Sequence, residues 1–224
     1  MNYYSEHQKI LLSVDCIIFG FDANKLKVLI GHRQMNPGMG EWSLYGGFVR
    51  NDEGVDEAAA RTLHELTGMS DVYMQQVGTF GRVDRDPGAR VVSIAYYALI
   101  NVKDYDETLM KSHHVEWMNI EALPPMFSDH LEMIHSARKL MKQKIKCEPV
   151  SFKLLPDLFT LTQLQRLYEA VTGEEVDKRN FRKRIKEMEF IEKTTFIDKT
   201  GSRRGAFLYR FNQKAFTEDM NFKL

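Results

Sequence analysis

Residues 47–69 read GFVRNDEGVDEAAARTLHELTGM, and this stretch decides the fold. Its second half predicts a helix over 54–67. Val55, Ala58, Ala59, Leu63 and Leu66 recur at helical spacing and form one apolar face. Gly68 is placed to stop it, because glycine tolerates the left-handed conformation that ends many helices. Arg61 and Glu65 stand at i, i+4, the spacing of a helix-surface ion pair. The glycine pair Gly46–Gly47 lies just upstream.

Outward from this helix the chain reads as strands. Residues 11–21 and 26–30 are two strands joined by the turn Asp22–Lys25. A Gly- and Pro-rich loop, Gln34–Glu41, separates them from Trp42–Val49. Residues 72–81 and 90–102 are further strands around the polar turn Asp84–Gly88; the second is rich in β-branched and aromatic residues. Trp117 opens a short segment, Pro124–Pro125 interrupts the chain, and 129–146 form a helix with a basic end. Strands with interspersed helices make an α/β (α+β) layered domain over residues 1–150.

After Glu148–Pro149 the character changes, so residues 151–224 are read as a second domain. Residues 160–171 form an amphipathic helix with Leu161, Leu164, Leu167 or Tyr168, and Val171 inward; Thr160 or Thr162 can cap it. Gly173 ends it, and Asp177 caps a helix over 178–188 with Phe181, Ile185 and Met188 inward. Strands at 190–197 and 206–211 flank a basic turn. This is the element order of a winged helix-turn-helix.

The chain has equal numbers of Lys+Arg and Asp+Glu, 31 each, but they are not evenly spread. Residues 151–224 carry 15 basic and 11 acidic residues, and residues 1–150 carry 16 and 20. Between Lys178 and Lys186 there are six basic residues and no acidic one. Such a helix gains nothing from its own like charges, but it suits a phosphate backbone whose counterions are released on contact. The expected DNA contacts are Thr162, Lys178, Arg179, Asn180, Arg182, Lys183, Arg203 and Arg204. Asn180 is placed to read an adenine edge, and Arg203 and Arg204 are placed at the wing. The two cysteines, Cys16 and Cys147, form no CxxC pair and are expected as reduced thiols in a cytoplasm. No apolar run long enough to span a membrane occurs, and no secretory leader is expected.

The 47–69 stretch resembles the Nudix box, G-x5-E-x7-R-E-U-x-E-E-x-G-U, with U a bulky apolar residue. Gly47, Glu53, Arg61, Leu63, Glu65, Gly68 and Met69 match at the required spacing. Active Nudix hydrolases offer glutamates at i, i+3 and i+4 for magnesium; here those places hold Thr62, Glu65 and Leu66. The departure implies a domain that does not hydrolyse pyrophosphates, with no metal site and no cofactor. Glu53 reads as a structural partner rather than a base, and His113 and His114 as surface residues.

Gly81–Pro87, Leu123–Pro125, Ser128–His130, Phe159–Gln165, Asp177–Arg182 and Leu208–Phe211 are similar to the Nudix-related transcriptional regulators. That resemblance implies a Nudix-like α/β/α sandwich followed by a winged helix. It further implies a homodimer that binds a palindromic operator in double-stranded DNA and answers a small effector. One branch of this family senses ADP-ribose and controls NAD metabolism; others sense sugars. The resemblance to the L-arabinose regulator, together with the lost glutamates, sets the expectation of a repressor of sugar use released by L-arabinose. A neutral pentose has no charge to neutralise and needs only a few polar groups and an aromatic wall. The expected effector residues are Arg33, Trp42, Tyr45, Arg61, Glu65, Arg82, Asp84 and Trp117. The alternatives are an ADP-ribose-sensing repressor and an active pyrophosphate hydrolase with an accessory DNA-binding domain.

Overall fold

The computed structural model describes residues 6–105, 107–200 and 204–216. Strand β1 (Leu11–Asp22) turns into β2 (Lys25–His32) through Ala23 and Asn24, both at positive φ (49° and 61°). A two-residue loop with both central residues there is the turn whose twist matches that of paired strands. β3 (Trp42–Ser43) pairs with β2, and β4 (Tyr45–Phe48) pairs antiparallel with β1 in the register Ser13↔Phe48 to Cys16↔Tyr45. β5 (Tyr73–Phe80), β6 (Val91–Leu99) and β7 (Val115–Asn119) complete a sheet whose main path runs β3-β2-β1-β6-β5, with β7 on β2.

Helix α1 (Val55–Thr67) packs on β4 and buries Ala58, Ala59, Leu63 and Leu66, the face the periodicity predicts. Gly68 closes it at φ 69°. A short helix, α2 (Glu107–Ser112), leans on α1 and has no counterpart in the sequence reading. Helix α3 (His130–Lys144) buries Met133, Ile134, Ala137 and Met141.

The C-terminal elements are β8 (Phe159–Thr160), α4 (Leu161–Thr172), α5 (Lys178–Lys186), β9 (Ile191–Asp198) and β10 (Ala206–Phe211). They form a winged helix-turn-helix with the three-stranded order β8-β10-β9. Thr160, not Thr162, caps α4: its hydroxyl accepts from Gln163 N while the Gln163 side chain accepts from Thr160 N. That reciprocal pair satisfies two amides that the helix start would otherwise orphan. Leu161, Leu164, Leu167, Tyr168 and Val171 are all buried, as are Phe181 and Ile185 of α5. Met188 lies beyond the end of α5 and is half-buried. Phe152 stacks on Phe211 at 4.6 Å and anchors β10 to the domain core.

By contact the chain forms two compact units. Among the described residues, one gathers Val28–Ala98 and Tyr105–Ala137 with those before Phe19; the other gathers Phe19–Lys27 and Leu99–Asp104 with those after Ala137. No helix among the described residues is long and apolar enough to cross a membrane.

Candidate effector site and DNA interface

The box folds into a strand, a loop and a helix held by carboxylates. Glu53 Oε1 accepts from Arg50 N at 3.0 Å, and its two oxygens take Arg61 Nη2 at 2.6 Å and Nε at 2.8 Å. Arg61 also donates to the Phe48 carbonyl at 3.1 Å and to Glu65 at 3.2 Å. These bonds, first of all those from Arg61, bring the Glu53 carboxyl down to about 2. Glu53 therefore ties loop to helix and is a poor proton acceptor near neutrality. Glu57 accepts from Gly54 N and caps α1. Upstream, a side chain at Gly46 would collide with the Val14 carbonyl and the Asp15 carboxylate, which explains one glycine of the pair.

The box implies a divalent cation, and the side chains here do not fit one. Thr62 and Leu66, each 1% exposed, are folded into the core. Glu65 faces Arg61 and, at 3.5 Å, Arg50. Mg²⁺ wants carboxylates and its own waters; here one carboxylate stands among cations beside a buried methyl face. Among the described residues no group of three His, Cys, Asp or Glu side chains is placed to hold an ion.

The structure brings Tyr45, Arg61 and Glu65 together. Burial, and then the Glu65 charge, raises the Tyr45 hydroxyl pKa, and its ring meets His113 edge-on at 5.7 Å. Arg33 and Trp42 form a second group. Arg33 lies 3.9 Å over the Phe127 ring and donates to the Pro37 carbonyl, and Trp42 packs on His32 at 3.8 Å. Arg82 and Asp84 are exposed on the β5–β6 loop. Trp117 is edge-on to Tyr105, and its indole N–H is buried without an acceptor among the described residues. A cleft of about 970 Å³ opens between α1 and β5; of the expected effector residues it includes Arg61 alone, beside His64, Met74 and Tyr96.

Sequence reasoning missed a buried polar cluster beside these groups. Arg85 makes a two-pronged pair with Asp129, Nε–Oδ2 at 3.0 Å and Nη2–Oδ1 at 2.8 Å, with the two side chains 4% and 2% exposed. Asp15 lies 3.6 Å from Arg85 and accepts from Ser93 Oγ at 2.5 Å. His130 Nδ1 accepts from Leu44 N at 3.1 Å, so its proton sits on Nε2, facing Asp15 at 3.8 Å. Burial lowers the His130 pKa and keeps the ring neutral. The only trace in the sequence is that Arg85 and Asp129 both fall in segments similar to the regulator family, 44 residues apart.

In the winged helix, Asp177 caps α5 by accepting from Asn180 N at 2.8 Å. Phe181 and Ile185 face the core; Lys178, Arg179, Asn180 and Lys183 are exposed, as are Thr162 and Arg204. Arg182 is half-buried and donates to Thr162 Oγ1 at 3.0 Å, joining α5 to the start of α4. Arg203 lies outside the described residues.

Comparison with known proteins fits this geometry. The NUDIX domain family matches residues 9–140, and the NrtR DNA-binding winged helix domain matches residues 151–211. The chain is 36% identical over 222 residues to the "ADPR responsive transcriptional repressor NtrR" of Acinetobacter baylyi, covering 97% of this chain and 88% of that one. The crystal structure of Shewanella oneidensis NrtR complexed with a 27mer DNA aligns at a TM-score of 0.82 and 29% identity, over 91% of this chain and 94% of that one. The NUDIX domain of the same protein, cocrystallised with ADP ribose, aligns at 0.51 and 29% identity, over 62% and 94%.

These findings overturn the L-arabinose assignment, both as the nearest branch and as the releasing effector. The expectation rested on a resemblance to the L-arabinose regulator, which the comparisons do not bear out, and on one physical step that failed. It took loss of the metal glutamates as loss of affinity for a pyrophosphate. Those carboxylates hold the metal ion that neutralises charge and activates water during hydrolysis, whereas holding an anion requires only cationic and N–H donors. The fold is a Nudix α/β/α sandwich fused to a winged helix-turn-helix domain, and the chain belongs to the NrtR-type family that joins these two domains.

Proposed function

We propose that this protein is an ADP-ribose-responsive transcriptional repressor: the winged helix holds operator DNA, and ADP-ribose bound by the Nudix domain, without turnover, releases it. The observation that carries this reading is the burial of Thr62 and Leu66 at the box's ion-holding positions, in a chain that resembles an ADPR-responsive repressor over nearly its whole length. Binding survives in such a box while hydrolysis does not.

The exposed Arg82 supplies positive charge for a pyrophosphate, and Arg61, whose charge is already matched by Glu53 and Glu65, supplies a fixed N–H direction. Tyr45 and Trp42 supply aromatic surface for an adenine ring; Arg33, Asp84 and Trp117 complete the proposed set. On the DNA side Lys178, Arg179, Lys183 and Arg204 meet phosphates, Asn180 meets a base edge, and Arg182 with Thr162 fixes α5. A homodimer presents two such helices about one DNA turn apart, roughly 34 Å, to a palindrome. ADP-ribose must bind the DNA-released state better, because a ligand indifferent to the two states shifts nothing.

The test is calorimetric titration with ADP-ribose, with and without Mg²⁺ and with and without a duplex selected from a random pool. The expected result is saturable, Mg²⁺-indifferent binding, with duplex and ADP-ribose weakening each other by the same factor. Absence of binding sinks the reading, and continuing heat of turnover with Mg²⁺ replaces it with a hydrolase.

A further inference from the structure

The β5–β6 loop is exposed at Arg82, Val83 and Asp84 and again at Pro87, Gly88 and Ala89, yet Arg85 between them is 5% exposed. Every polar contact of Arg85 among the described residues serves to fix it. Its guanidinium grips Asp129 through two bonds, with Asp15 alongside, and its carbonyl accepts from Ser128 Oγ. Its own N–H donates to the Arg82 carbonyl at 3.3 Å, closing a turn, and Arg90 Nη1 donates to that same carbonyl. Gly88 packs against Pro37, whose carbonyl holds Arg33. The buried Arg85 side chain thus anchors the middle of the loop that displays Arg82 and Asp84.

An ion pair this deep is a weak source of stability, because desolvation offsets most of its Coulomb gain. What a fork-on-carboxylate pair gives that apolar packing does not is direction. We infer that the Arg85–Asp129 pair is a positioning lock that holds the Arg82–Gly88 loop in its effector-binding conformation. This rests on the functional reading above. Neither residue touches the effector; both act through Arg82 and Asp84. Without the lock the loop must be ordered at the moment of binding, and ordering two side chains and their turn weakens affinity on the order of tenfold.

The test compares the wild-type chain with Asp129→Asn and with the double variant Arg85→Met/Asp129→Leu. The single variant strands a buried guanidinium and can fail to fold. The double variant replaces the pair with apolar side chains of similar size, a change that folded proteins accept, and Asp15, which loses Arg85 beside it, keeps the hydrogen bond from Ser93 Oγ. ADP-ribose affinity by calorimetry, operator affinity without effector, and hydrogen exchange at residues 82–88 are read on each. The expected outcome for the double variant is unchanged operator affinity, ADP-ribose binding about tenfold weaker, and faster exchange confined to the loop. A purely structural role predicts general loss of protection and of operator binding, and that result overturns the lock. Wild-type-like ADP-ribose affinity in the folded double variant also overturns it. Wild-type protein that ignores ADP-ribose overturns the functional reading itself, and the loop's role with it.

Discussion

Arg61 and Arg85 of the Nudix domain and the exposed lysines and Arg179 of α5 carry the same charge and meet opposite fates. Arg61 sits between Glu53 and Glu65, and Arg85 between Asp129 and Asp15. On α5, Lys178, Arg179, Lys183 and Lys186 are exposed and make no ion pair among the described residues. Charge that is matched by carboxylates fixes structure and is electrostatically spent. Charge left unmatched on a rigid helix, with Phe181 and Ile185 holding its other face to the core, is available to a polyanion. The partner supply, rather than the count of basic residues, separates the two domains.

The sharpest way to break this comparison is to remove one partner inside the Nudix domain. Asp129→Ala removes the two-pronged partner of buried Arg85 and leaves only Asp15, at 3.6 Å, so a loss toward the lower end of about 3–5 kcal/mol is expected. Urea denaturation of the variant against the wild type measures it. A loss below about 1 kcal/mol would place the pair in the class of solvated surface bridges and erase the distinction between Arg85 and an exposed arginine.

On α5 the expected change is in binding rather than folding. Arg179→Ala should leave the denaturation midpoint in place and weaken operator binding. The slope of log affinity against log salt should fall by about one unit for the lost phosphate contact. Arg182→Ala is the intermediate case. It breaks the bond to Thr162 as well as removing a charge, so both the midpoint and the affinity should drop. Equal salt slopes for Arg179→Ala and the wild type, measured by fluorescence anisotropy, would remove α5 from the docking face.

The same contrast explains what the sequence could and could not reveal. Local patterns carried α1, α4 and α5: their apolar faces recur every three or four residues, and their caps lie within three residues of the groups they satisfy. The Arg61–Glu65 pair was visible for the same reason. The Arg85–Asp129 lock joins residues 44 apart in the chain, and the Asp15–His130 approach spans more than a hundred. No periodicity encodes such meetings; they exist only once β1, the β5–β6 loop and the start of α3 have packed. Helix α2 was missed because six residues are too few to show an apolar face. The effector was misassigned for a chemical reason instead, since residues needed to hydrolyse a pyrophosphate were treated as residues needed to hold it.

The smallest expected effect concerns Glu53, whose carboxyl falls from an ordinary value near 4.5 to about 2 because Arg61 and the Arg50 amide bind its ionised form. A lowered folded-state pKa contributes stability that is complete above the unfolded value and disappears as pH falls through the folded one. The window for Glu53 is therefore about pH 4.5 down to about 2. Glu53→Gln removes the titrating group and keeps the shape, so the melting temperature should depend less steeply on pH than the wild type within that window. Asp129 and Glu174 also have lowered values, so the wild type loses stability there for several reasons, and only the difference between the two curves reports on Glu53. Parallel curves would mean that Arg61 binds Glu53 no better ionised than protonated. The box loop would then be held by the hydrogen bonds to Phe48 and Arg50, and Glu65 would be the one carboxylate left to match Arg61, which would move it toward the unmatched charges of α5.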